Sequence, residues 1–107
     1  MQEIKLKKVS LTTIQYLSVQ FNALLSGSIN YGHDGPTAKM MLSILFEVGK
    51  KFHYNFYGMR QKTYTKSLKY HEAFALLGFV NYLLESEQDD YSLALLRDLQ
   101  LSLDKKI

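Results

Sequence analysis

The 107-residue chain carries 47% hydrophobic and 21% charged residues, near the averages of ordinary globular proteins, which excludes global disorder and fits one helical domain, 1–107, around a single core. It has no cysteine, so disulfides, thiolate metal ligands and cysteine nucleophiles are excluded, and a reducing, cytoplasmic setting is the expected one. The net charge of +3 is uneven: residues 1–71 hold ten Lys/Arg against three acids, residues 72–107 three against seven, a polarity that suits either an anionic partner or mutual attraction of the two halves.

At the start of the chain Ile4 and Leu6 alternate with Lys5 and Lys7, an extended pattern over residues 3–7. The following stretch, Val9 to Leu25, is too rich in Ser, Thr, Gln and Asn to be the apolar segment of a secretory signal. It reads instead as a first helix over 13–26. Thr12 and Gln15 fit a capping box, Leu11 and Tyr16 a hydrophobic staple, and Ile14, Leu17, Phe21, Leu24 and Leu25 an apolar stripe. Gly27 suits the left-handed residue that ends such a helix.

Residues 27–35, GSINYGHDG, are loop chemistry, and Pro36 is placed to open a second helix, expected over 36–57 with Gly58 as its stop. Its core stripe runs through Ala38, Met41, Ile44, Leu45, Val48, Phe52, Phe56 and Met59. Between Arg60 and Tyr70 the period changes to two, with Tyr64, Leu68 and Tyr70 on one parity and Thr63, Thr65, Ser67 and Lys69 on the other. Segments 3–7 and 63–69 are therefore candidates for a two-stranded ribbon, which needs a larger body to pack on.

A third helix is expected over 71–86, apolar nearly all round and so central, with Leu77 and Val80 almost fully buried. Its apolar run, Ala73 to Leu84, is 12 residues, short of the about 20 a membrane span needs. Asp89 and Asp90 suit the N-cap of a fourth helix over 91–104, with Leu96, Leu99 and Leu103 inward; a terminal strand is the alternative, because Leu99, Leu101 and Leu103 also alternate. The fold class is mainly α: about four helices packed around the third, with a short β-ribbon.

Functional signals are sparse. The histidines His33, His53 and His71 form no i,i+4 pair, and His71 and Glu72 point apart on a helix, so neither a metal nor another cofactor is expected. Phosphate-loop, dinucleotide and nucleophile-elbow motifs are missing from the sequence. His33 and Asp34 share a loop, but Asp34 is better placed to serve the start of the second helix, and no catalytic activity is expected.

Two surface candidates remain. Residues 50–70 interleave Lys50, Lys51, Arg60, Lys62 and Lys66 with Tyr54, Tyr57 and Tyr64 and contain no acid, a composition suited to phosphates and stacked bases; the same residues also make an ordinary solvated face. Met40, Leu42 and Phe46 lie off the core stripe of the second helix, as Val19 does on the first. If exposed they form an apolar patch that favours self-association; if helix two is surrounded they are core. The leading expectation is a cytoplasmic, non-catalytic protein-interaction module that self-associates, with no membrane contact; nucleic-acid binding through 50–70 is the alternative.

Overall fold

A ribbon feeding directly into helices at both strand ends sets the architecture. The computed structural model describes residues 3–27, 35–53 and 62–107, and of residues 35–38 the backbone alone. The elements are β1 (Glu3–Ser10), α1 (Leu11–Leu25), α2 (Gly35–Lys51), β2 (Thr63–Lys69), α3 (Tyr70–Ser86) and α4 (Asp90–Lys106). The fold is mainly α with a two-stranded antiparallel sheet, as the sequence implies.

The ribbon is longer than its pattern suggests, because a bulge hides the last turn of the alternation. Ile4 pairs with Leu68 and Leu6 with Lys66, but Val9 pairs with Tyr64, so two residues, Lys7 and Lys8, oppose one. The extra residue flips parity: Ile4 and Leu6 face inward, Lys7 and Lys8 both face out, and Val9 faces inward again. Lys8 takes the strain of this with φ 59, in the left-handed region that side-chain-bearing residues rarely enter. The N–H of Leu11 then donates to the carbonyl of Lys62 at 2.9 Å, closing the ribbon where α1 begins.

Ser10, not Thr12, caps α1. Its hydroxyl accepts the Thr13 N–H at 3.1 Å, and Ser10 Oγ lies 2.8 Å from Thr13 Oγ1. The capping box read from Thr12 and Gln15 is thus displaced by two residues, because the ribbon delivers the chain into helical geometry at Leu11. Ser10→Ala should cost about 1 kcal/mol of stability while Thr12→Ala costs a few tenths at most; thermal unfolding of the two variants would separate the assignments, and equal losses would refute ours. At the other end Gly27, at φ +83, is the expected left-handed residue.

The helix expected over 36–57 ends at Lys51. The N–H of Phe52 turns back onto the Gly49 carbonyl at 3.2 Å, a tight last turn that swings the Phe52 ring into the core against Phe21. The expected continuation through Phe56 and the Gly58 stop lie outside the described residues.

Helix α3 packs against α2, α4 and both strands, and is the central element. Its inward row is Glu72, Ala73, Leu76, Phe79, Val80 and Leu83, joined by Ala75. Val80 is fully buried as expected, whereas Leu77 is only partly buried. That corrects the expected burial of Leu77 on a helix apolar nearly all round: Leu77 sits on a flank beside a solvent side that carries the exposed Phe74 and Asn81. Gln100 Nε2 of α4 donates to Asn81 Oδ1 at 2.6 Å along that side. Asp89 caps α4 by accepting the Ser92 N–H at 2.9 Å, and Leu96, Leu99 and Leu103 face inward, so the terminal segment is a helix and not a strand.

Candidate interaction surface

Helix α2 divides cleanly into two sides. Leu45, Val48 and, past its end, Phe52 are fully buried, while Lys39, Met40, Ser43, Phe46, Glu47 and Lys50 are exposed. At about 100° per residue the six exposed positions fall within roughly 120° of the helix circumference, centred on Ser43. Of the apolar candidates, Met40 is 58% and Phe46 40% exposed, whereas Leu42 packs partly against the core. On α1, Val19 is also exposed, but it lies towards α4, beside Tyr16 and Tyr91.

Beside Phe46 a cleft of about 410 Å³ opens between α1 and α2. Each helix lines it with one i, i+3, i+4, i+7 row: Ser18, Phe21, Asn22 and Leu25 on α1, and Phe46, Gly49, Lys50 and His53 from α2 and its end. Gly49 lets the two helices come this close, since a Cβ there would stand 3.2 Å from the Phe21 ring. The signal for this close approach in the sequence is a glycine inside an apolar helical stripe, Gly49. The exposed Leu25 at the rim extends the apolar character of the cleft.

The basic segment is partly committed to the fold itself. Lys51 Nζ donates to Glu72 Oε1 at 2.9 Å and to the Ser67 carbonyl at 3.0 Å, and Lys50 pairs with the exposed Glu47 at 3.3 Å. Tyr64 packs against the core, and the Lys66 ammonium lies over its ring, 5.7 Å from the centroid. Lys66 occupies the inward parity of β2, and desolvation of its ammonium by burial lowers its pKa. Lys62 is exposed; Tyr54, Tyr57 and Arg60 lie outside the described residues. Pairing of the strands brings together a different set of cations. Lys5, Lys7 and Lys8 of β1 and Lys62 and Lys69 at the two ends of β2 are all exposed on one ribbon.

Other shifted acidities among the described residues belong to structural contacts. Burial raises the pKa of the Tyr16 hydroxyl, and its donation to Glu87 Oε2 at 2.7 Å raises it further. Burial alone would raise the Glu72 carboxyl; hydrogen bonds from the Lys69 N–H and from Lys51, with the charges of Lys51 and His71, outweigh it and hold the group below the ordinary carboxylate value. His53 and His71 are exposed, and His33 and Asp34 lie outside the described residues. Among the described residues no helix is long and apolar enough to cross a membrane. No family model matches the chain, and no curated protein or solved structure matches it at a significant level.

Proposed function

We propose that the chain is a small protein-interaction module, working without catalysis, whose partner is a second copy of itself held through the exposed side of α2. The observation that carries this reading is the pair Met40 and Phe46, two large apolar side chains left open on one helix side, with Phe46 and the exposed Leu25 lining an apolar cleft. Scattered apolar residues need no explanation on a protein surface, but apolar groups gathered beside a concave site do. A non-catalytic role is supported by the use made of the described groups with shifted acidity. Tyr16, Glu72 and Lys66 are each engaged with a structural neighbour or packed against the fold. The cysteine-free composition supports a cytoplasmic setting.

Phe46→Lys is the direct test. It places a charge on the proposed surface, at the rim of the cleft, while leaving the core untouched, because Phe46 is already partly solvated. Light scattering at micromolar to millimolar concentration should report a dimer for the parent chain and a monomer for the variant, with unchanged helical circular dichroism. The same dimer in both would refute the proposal.

The ribbon favours a second reading, nucleic-acid binding, with its centre moved from residues 50–70 to the cations that β1 and β2 bring together. Lys5, Lys7, Lys8, Lys62 and Lys69 stand on one short ribbon whose outer parity otherwise carries Thr63, Thr65, Ser67 and Glu3. A labelled oligonucleotide that binds at low salt, weakens steeply with added salt and is lost in Lys5→Glu/Lys7→Glu would support this use. Absence of binding at low salt would remove it.

A further inference from the structure

Within four residues of Ser43 the exposed side of α2 reads the same from either end, and the exposed Lys50 lies beyond that span. About Ser43 the apolar residues stand three positions away on both sides, Met40 and Phe46, and opposite charges stand four positions away, Lys39 and Glu47. All five are exposed, and Lys39 has no ion-pair partner among the described residues. In an antiparallel helix pair centred on one position, residues equidistant from it on the two chains lie at the same height across the seam. We infer that α2 pairs antiparallel with α2 of a second copy across a two-fold axis at Ser43.

This geometry rests on the self-association proposed above and specifies how it is achieved. It sets Met40 level with the partner's Phe46 and Lys39 level with the partner's Glu47, and symmetry repeats each pairing. A parallel pairing in the same register would face Lys39 with Lys39 and Glu47 with Glu47, so charge selects the antiparallel arrangement. The small Ser43 at the crossing point lets the helix axes approach. Glu47 already holds Lys50 in an exposed pair at 3.3 Å, and a carboxylate has acceptor sites to spare for a second cation.

Because the chain contains no cysteine, the axis can be located by a single substitution. With helix axes about 9–10 Å apart, Cα atoms at the crossing point lie about 5 Å apart, within the range a disulfide spans. Ser43→Cys should therefore form a covalent dimer rapidly under mild oxidation, while Val19→Cys, on the α4 side of α1, should not. Independently, Lys39→Glu and Glu47→Lys should each weaken the dimer about tenfold in sedimentation, since each turns two attractions into two repulsions. The double variant Lys39→Glu/Glu47→Lys should recover parental affinity. A dimer that ignores the charge reversals, or that crosslinks no faster through Ser43→Cys than through Val19→Cys, would overturn the antiparallel geometry and leave self-association standing. A parent chain monomeric at millimolar concentration would overturn both.

Discussion

Phe79→Ala is expected to lower stability by about 3–5 kcal/mol, the largest loss from any one side chain of the described core. Phe79 is fully buried at the middle of α3, and its ring meets Phe21 of α1 at 5.2 Å and stacks on Tyr82 at 6.5 Å. Phe21 in turn stacks on Phe52 at the end of α2, at 6.4 Å. Removing the Phe79 ring therefore empties the point at which three helices meet, and packing on every side prevents the neighbours from closing the gap. A domain with about 5–15 kcal/mol in hand loses a large share of it. The contrast is Phe74→Ala on the same helix, where the side chain is 54% exposed and the change should stay within about 0.5 kcal/mol. Urea titration of both variants reads the difference. A loss below 1 kcal/mol at Phe79, or equal losses at the two positions, would contradict the placement of α3 at the centre.

Glu72→Ala should cost about 2–3 kcal/mol, somewhat less than the about 3–5 kcal/mol for breaking a fully buried ion pair. One carboxylate oxygen, Oε1, ties three elements: it accepts the Lys69 N–H at 2.8 Å, where β2 becomes α3, and Lys51 from α2 at 2.9 Å. The discount comes from Lys51, whose side chain is 38% exposed and can turn to water once its partner is gone. Glu72→Gln isolates the charge, because the amide oxygen still accepts from the Lys69 N–H. Since the folded protein holds Glu72 below the ordinary carboxylate value, the folded state favours the ionised form. That stabilisation is fully present above the unfolded pKa of about 4.3 and is lost as pH falls through the folded value. The gap between parent and Glu72→Gln should thus be constant near neutrality, shrink below about pH 4.3 and vanish in stronger acid. A gap that stayed constant from pH 7 to pH 2 would rule out a charge-based role.

The parts of the fold that the sequence makes legible are those governed by one local pattern. The stripe through Ile14, Leu17, Phe21 and Leu24 of α1, the Asp89 cap and the inward Leu96, Leu99 and Leu103 of α4 all follow from helical period and capping chemistry alone. The ribbon of 3–7 with 63–69 is legible from its alternation, but its continuation to Ser10 is not, since the bulge at Lys7 and Lys8 breaks the parity there. The α1 cap moved to Ser10 for the same reason: where a strand hands over to a helix is decided by the partner strand, which local sequence does not contain. Leu77 was misjudged because a leucine on the flank of a central helix looks the same in sequence as one on its inward row.

The candidate surface shows the same division. Exposure of Met40 and Phe46 follows from their angle to the core stripe, while Leu42 is claimed by neighbours from elsewhere in the chain. The pairing of Lys51 with Glu72, 21 positions apart, and the gathering of Lys5, Lys7 and Lys8 with Lys62 and Lys69 are products of topology. They redistribute a run of cations that in sequence reads as one basic patch.

Sedimentation equilibrium of the unmodified chain, run from micromolar to millimolar concentration, tests self-association most directly. Pairing through α2 gives an apparent mass that rises with concentration from 12.4 kDa towards twice that value and stops there, as a closed two-fold interface requires. A mass of 12.4 kDa at every concentration would contradict it, and Met40 and Phe46 would then be ordinary exposed residues of a monomer.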